Sequence, residues 1–403
     1  MMHLREPIGT ARRVVVKVGS ASLTSSGGGI DPVQIDALAD AIAQRHSQGV
    51  ELILVSSGAV ASGFASLGLR TKPRDAASKQ ASASVGQMLL VARYAASFAR
   101  YNLVVGQVLL TAEDLLRRSQ YRSAKRTFDR LLALKALPVV NENDTVATAQ
   151  NKFGDNDRLA ALVAHVVHAD ALVLLSDVAG LYTDDPRRAG ARLLEQVMGE
   201  SDLAEVSVSS SGSSGIGSGG MASKIAAARI ATAAGVHVVL ANATHAHAAL
   251  AGEPVGTYFA PTGSRLPIRL LWLRHVATPA GQLVIDSGAL RAVTDRHASL
   301  LAAGVTRLHG EFDAGDPVEV VGPDGVVVAH GLVGYDSRAL PQLLGKSTPM
   351  LAAEHQREVI HRDDMVLLPP LGVFPENVAK KRGFRTFSLK TSASADGFSG
   401  GAG

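Results

Sequence analysis

Along the first 260 residues, short runs of β-branched and other apolar residues alternate with longer segments rich in Ala and Leu. Short unbroken apolar runs predict strands buried on both faces, and apolar positions three and four apart predict helices between them. Strands are expected at 13–18, 51–56, 103–109, 137–141, 171–175 and 237–240, and helices at 32–48, 80–100, 119–134, 158–167 and 222–234. Strand and helix in alternation is the signature of βαβ units. The expected class is therefore α/β, a mainly parallel sheet sandwiched by helices.

After Pro261 the texture changes to short β-prone runs punctuated by glycine, at 281–285, 305–309, 317–321 and 326–332. These predict a small β-rich domain. Pro323-Asp324-Gly325 between two valine-rich runs predicts a hairpin, because glycine accepts the positive φ of a tight turn. From Leu371 onward the pattern is lost in Ser, Ala and Gly-rich sequence, which reads as a tail outside the fold. The expected domains are 1–270, 276–368 and a tail at 371–403.

Composition narrows the class. With 403 residues, 46% hydrophobic and 19% charged, the chain has the make-up of a globular protein large enough for two cores. It holds no cysteine, which excludes disulfides, thiolate nucleophiles and cysteine-ligated zinc. The opening MMHLREPIGTARR lacks the apolar centre of a secretory signal, and no apolar run approaches the roughly 20 residues of a membrane helix. A cytoplasmic protein without a membrane span is expected. Net charge is +4, yet residues 276–370 hold seven Lys or Arg against twelve Asp or Glu, a net of −5. That field opposes nucleic acid.

Polar clusters fall at the C-terminal ends of expected strands or the N-termini of expected helices, where open α/β sheets bind ligands. Lys17-Val18-Gly19-Ser20 follows the first strand: the lysine suits a phosphate, and Gly19 lets backbone amides approach it. Ser56-Ser57-Gly58-Ala59 ends the second strand with small residues that admit an anion close to backbone amides. Asn141-Glu142-Asn143-Asp144 and Gly154-Asp155-Asn156-Asp157 concentrate four carboxylates. They suit turns and helix caps as well as a substrate ammonium or cationic side chains. Residues 211–224, SGSSGIGSGGMASK, form a glycine loop ending in Lys224 at a helix start, which suits a nucleotide's phosphate tail. Gly215, Gly217 and Gly220 match G-x-G-x-x-G, but no strand precedes them, so a dinucleotide fingerprint is not supported. Residues 175–186, LSDVAGLYTDDP, leave a buried strand through a turn and can line a nucleotide pocket.

Two patterns carry no site. Gly345-Lys346-Ser347 lacks the upstream glycine of a P-loop, since position 340 is leucine. His165 and His168 share a helical face without a third ligand, so no protein metal site is expected.

Taken in order and spacing, KVGS, VSSGA, NENDTVAT, FGDNDRLAA, LLSDVAGLYTDDPR and SGGMASK resemble the glutamate kinases of the amino acid kinase family. The resemblance spans about residues 12–368, and the acidic β-rich segment ending in His361-Arg362-Asp363-Asp364-Met365 looks like that family's C-terminal PUA domain. It implies ATP and L-glutamate as substrates, Mg²⁺ carried with ATP as cofactor, and γ-glutamyl phosphate as product. It further implies the first step of proline synthesis, proline as feedback inhibitor, coupling to γ-glutamyl phosphate reductase and a homo-oligomer. By the family's motifs Lys17 and Lys224 contact ATP phosphates, with Asp157 holding the lysines. Ser57, Gly58, Asp144, Asp155 and Asn156 serve glutamate. Ser176, Asp177, Ser218, Gly219, Gly220, Met221, Ala222 and Ser223 serve ATP.

Acetylglutamate and uridylate kinases share the phosphate-handling lysines, but the PUA-like segment argues against them. An RNA-binding or RNA-modifying protein is supported by that segment alone.

Overall fold

The computed structural model describes residues 5–24, 29–111, 114–115, 117–147, 155–204, 206, 220–263, 268–275, 277, 279–346, 352, 356–368 and 386–388. It divides into two compact units, 1–271 and 272–403.

The first unit is built on an eight-stranded sheet. Six strands, β1 Arg13–Val18, β2 Glu51–Ser56, β3 Val105–Leu110, β4 Leu137–Glu142, β5 Ala171–Ser176 and β9 His237–Asn242, run parallel in the order β3-β4-β2-β1-β5-β9. A two-stranded hairpin, β6 Leu181–Tyr182 and β7 Leu193–Leu194, stands apart from this sheet. Beyond β9 lie β10 Thr257–Phe259, antiparallel to it, and β8 Gln196–Val197. Sequence periodicity missed β8 and β10 because runs of two or three residues show no period. β1 sits centrally, with β2 on one side and β5 on the other. The chain passes outward from β1 to β2 and later outward the opposite way from β5 to β9, so the strand order switches direction between β1 and β5. Ligands of open α/β sheets bind at such a switch.

Strand alternation decides what each residue faces. Val14, Val16 and Val18 join the core cluster with Ile35, Leu38 and Ile42 of α2 (Pro32–Ser47) and Leu90, Tyr94 and Phe98 of α4 (Ala76–Ala99). Between these two helices lies the short α3, Ala59–Gly63. Val15 and Lys17 therefore point to the other face, which carries α6 (Asn156–Val166) and α7 (Met221–Ala233). α6 is buried along its length from Leu159 to Val166, and each large side chain so buried contributes about 1.5–3 kcal/mol. The helices α1 (Glu6–Gly9), α5 (Arg118–Ala133) and α8 (Ala246–Ala251) complete this unit.

The packing of α3 on α4 needs glycine. A Cβ on Gly86 would lie 1.8 Å from the Ala59 carbonyl oxygen, so the two backbones touch. This contact fixes α4 just beside the end of β2.

The second unit holds a six-stranded sheet in the order β15-β14-β13-β11-β12-β16: β11 Gly281–Ile285, β12 Val305–Gly310, β13 Pro317–Val321, β14 Val327–Leu332, β15 Met365–Leu367 and β16 Thr386–Ser388. The turn at 323–325 joins β13 to β14 as a hairpin, with Gly325 at φ +80°. Helices α9 (Ile268–His275) and α10 (Ser287–Arg296) were not expected. For α10 the signal was Asp286, whose carboxylate accepts from the Ala289 N–H at 2.7 Å and caps the helix. A second correction concerns 371–403, expected to lie wholly outside the fold: Thr386–Ser388 pair antiparallel with β12.

Candidate active site

The parallel strands deliver their C-terminal polar residues to one edge of the sheet. Register places Val18 beside Ser56 and Leu175, and Ser176 beside Asn242, so the ends of β1, β2, β5 and β9 form one rim. Above it stand the N-termini of α6 and α7.

At the switch between β1 and β5, Lys17 ion-pairs with Asp157 Oδ1 in the first turn of α6. Lys224, in the first turn of α7, reaches Asp157 Oδ2 at 3.4 Å, and the Ser223 hydroxyl donates to the same oxygen at 3.1 Å. All three charged groups are buried. Burial alone raises the Asp157 carboxyl, but the two ammonium groups outweigh it and hold the carboxyl below the usual carboxylate range. One carboxylate and two lysines thus meet in a desolvated rim, a set of groups that suits an anion. Gly19 lies beside it: a Cβ there would stand 3.9 Å from Lys17 Nζ, in ordinary van der Waals contact.

On the other side of β1 the chemistry changes from charge to amides. Gly58 turns β2 into α3 at φ +105°, a conformation that glycine adopts without steric cost. Asn156 Nδ2 donates to the Ser56 carbonyl oxygen at 3.2 Å, to Ser57 Oγ at 3.1 Å and to Asn141 Oδ1 at 2.8 Å. Its own Oδ1 is buried and has no hydrogen-bond partner among the described residues. A buried acceptor in that state has room for a donor from water or from a ligand. Asp155 caps α6, accepting from the Arg158 N–H at 2.9 Å, so at least one of its oxygens serves the fold. Asp144 is half-buried in the turn after β4.

At the end of β5 the Ser176 hydroxyl donates to Asp177 Oδ1 at 3.0 Å, and Asn242 from β9 donates to the Asp177 carbonyl oxygen at 3.2 Å. Gly220 precedes α7, with Met221 and Ala222 in its first turn. Ser218 and Gly219 lie outside the described residues.

These features can be set beside known proteins. Residues 12–242 match the family described as the amino acid kinase family. The chain belongs to that family. Residues 281–350 match the PUA domain. Among relatives of this amino acid kinase, the glutamate 5-kinase of Streptomyces avermitilis is 58% identical over 375 residues, covering 92% of this chain and all of that one. The Streptomyces coelicolor glutamate 5-kinase is 56% identical over 374 residues, with 92% and 100% coverage. That of Salinispora arenicola is 55% identical over 369 residues, with 91% and 100% coverage.

Sequence reasoning singled out the rim of this kinase but missed parts of its support. The sequence marks Asn141 only as a member of a cluster and gives Gln87 and Asn242 no mark of a site. Their signal is tertiary: each is an ordinary polar residue on a helix or strand until its partner is in place. Among the described residues no helix is long and apolar enough to cross a membrane, and no group of three or more His, Asp or Glu is placed to hold a metal ion.

Proposed function

We propose that this chain is a glutamate 5-kinase, transferring the γ-phosphoryl group of ATP to the side-chain carboxylate of L-glutamate and releasing γ-glutamyl phosphate and ADP. The observation that carries the reading is the arrangement of Lys17 and Lys224 on the two oxygens of Asp157, at the switch point of the sheet. The high identity to glutamate 5-kinases supports the choice of acceptor.

The division of the rim fits two substrates. The lysines and the start of α7 take the phosphate tail of ATP, while Ser176 and Asp177 lie on the nucleotide side. Ser57, Gly58, Asp144 and Asn156 take glutamate, whose ammonium finds an acceptor in Asn156 Oδ1. Proline carries a similar ammonium and α-carboxylate, which supports inhibition from the same half.

The reaction asks little acid–base chemistry of the protein. A glutamate side chain is ionised at neutral pH, so the nucleophile needs no general base. Catalysis reduces to holding two anions in line and stabilising the charge that spreads over the transferring phosphoryl. Lys17 and Lys224 supply that stabilisation from fixed positions, and Asp157 keeps both heads aimed without itself taking a proton. Asp157 is already shared between two ammonium groups, so Mg²⁺ suits entry on the ATP phosphates, where it adds positive charge. A homo-oligomer and a cytoplasmic location belong to the same reading.

The test is an ATP-consumption screen with glutamate, acetylglutamate, aspartate and UMP, with hydroxylamine present to trap an acyl phosphate. Turnover with glutamate and formation of its hydroxamate are expected; equal turnover with acetylglutamate rejects the acceptor.

A further inference from the structure

Gln87, on α4, is assigned above to neither substrate, yet it closes a chain of amides that begins at the glutamate half of the rim. It is buried, with 9% of its surface exposed. Its Oε1 accepts a 2.6 Å hydrogen bond from Asn141 Nδ2. Asn141 Oδ1 in turn accepts from Asn156 Nδ2 at 2.8 Å.

Backbone groups force the direction of every bond in this chain. The Glu142 N–H donates to Asn141 Oδ1 at 2.9 Å, and an N–H cannot accept, so Asn141 must present its oxygen there. The Ser56 carbonyl oxygen receives Asn156 Nδ2 at 3.2 Å, and a carbonyl cannot donate, so Asn156 must present its nitrogen. Asn141 Nδ2 is left turned toward Gln87, which must answer with Oε1. At the other end Asn156 Oδ1 is left as the buried acceptor without a partner among the described residues.

Gln87 is a poor choice for packing alone. Its Nε2 is buried with no partner among the described residues, and its Oε1 bonds to Asn141. An apolar side chain of the same size would avoid that unpaired donor. The neighbouring Gly86 seats α4 against the Ala59 carbonyl, which holds Gln87 at a fixed reach from β4.

We infer that Gln87 is a positioning residue for recognition of the amino-acid substrate: it locks the Asn141 amide, and through it keeps Asn156 Oδ1 turned toward the substrate ammonium. The inference rests on the glutamate reading above. Without Gln87 the buried Asn141 Nδ2 loses its acceptor, so the Asn141 amide is held from its oxygen side alone and gives Asn156 a looser partner, while the backbone still sets which way each amide faces.

The experiment compares the full-length wild type, Gln87→Met and Gln87→Glu. Methionine matches the length and removes the acceptor; the glutamate carboxyl keeps an acceptor oxygen for Asn141 in either protonation state. Gln87→Met is expected to raise KM for glutamate about tenfold, the effect of roughly one buried hydrogen bond, with kcat and KM for ATP within about twofold of wild type. Gln87→Glu is expected to recover most of that loss. The inference is overturned if Gln87→Met leaves KM for glutamate unchanged, if KM for ATP rises in parallel, or if Gln87→Glu is no better than Gln87→Met. Should Gln87→Met not fold, Gln87→Ser, too short to reach Asn141, is read by the same criteria. Glutamate-dependent turnover by the wild type is measured first: its absence rejects the parent reading, whereas turnover with an indifferent Gln87→Met rejects the relay alone.

Discussion

Lys17 and Lys224 sit on opposite oxygens of a single buried carboxylate, that of Asp157. One lysine comes from the central strand and the other from a helix that follows β8, so the pair exists only when α6, packed on β1, and α7, packed on β9, lie side by side. Two like charges this close repel strongly in a desolvated setting, and the shared carboxylate makes the arrangement stable.

The two halves of the rim are expected to separate in kinetics. Lys224→Ala should lower kcat by about 10²-fold or more, because its charge acts on the transferring phosphoryl. Asn156→Ala should mainly raise KM for glutamate, by about tenfold, as one hydrogen bond to the substrate is lost. Steady-state kinetics with each substrate varied decide this, and a change confined to KM for ATP in both variants contradicts the assignment.

Asp157 makes stability depend on acid. Its carboxyl is held below the ordinary range, so its charged form stabilises the fold at pH values above the unfolded value of about 4. That contribution is lost as pH falls through the lower, folded value. Asp157→Asn should be less stable than wild type at neutral pH, and its Tm should fall less steeply below about pH 4. Thermal melts across that range check both, and parallel curves refute the linkage.

Gly86→Ala tests the close contact of α3 and α4. The added methyl falls 1.8 Å from a backbone oxygen, so the helices must part, at a cost of about 1–3 kcal/mol. Denaturant unfolding should show that loss, and KM for glutamate should rise because Gln87 moves with α4. An unchanged midpoint contradicts the packing.

The PUA-matching region is expected not to bind RNA. Residues 276–370 carry a net charge of −5, and Phe312 and Tyr335 are both buried, the latter under Arg357 at 4.5 Å. Neither offers a face for a base. The full chain should show no salt-dependent affinity for single-stranded RNA. Ending the chain at residue 271 should instead alter assembly size or proline inhibition. Tight RNA binding, or a truncation without effect on either property, contradicts this.

Most of the architecture was legible. The short, β-branched apolar runs around Val14–Val16 and Leu172–Leu174 suit doubly buried strands, and they are such strands. The β13–β14 hairpin was announced by Gly325. The short strands β8 and β10 and helices α9 and α10 were not, because two or three residues show no period and a single Asp286 cap is a weak local signal.

For the site, the sequence marked Lys17, Asn156, Asp157 and Lys224 as members of polar clusters at strand ends and helix starts, which suit turns and caps as well, and the roles expected of them came from the resemblance to the family's motifs. Which partner each one takes was decided by tertiary structure. Lys17 faces α6 and α7 because strand alternation turns it away from α2 and α4, and Asp157 reaches it because β1 and β5 are neighbours in the sheet. Asn141 and Gln87 carry no local mark of their role. Hydrogen-bond direction is a property of pairs, and these pairs form only when α4, β4 and α6 are brought together.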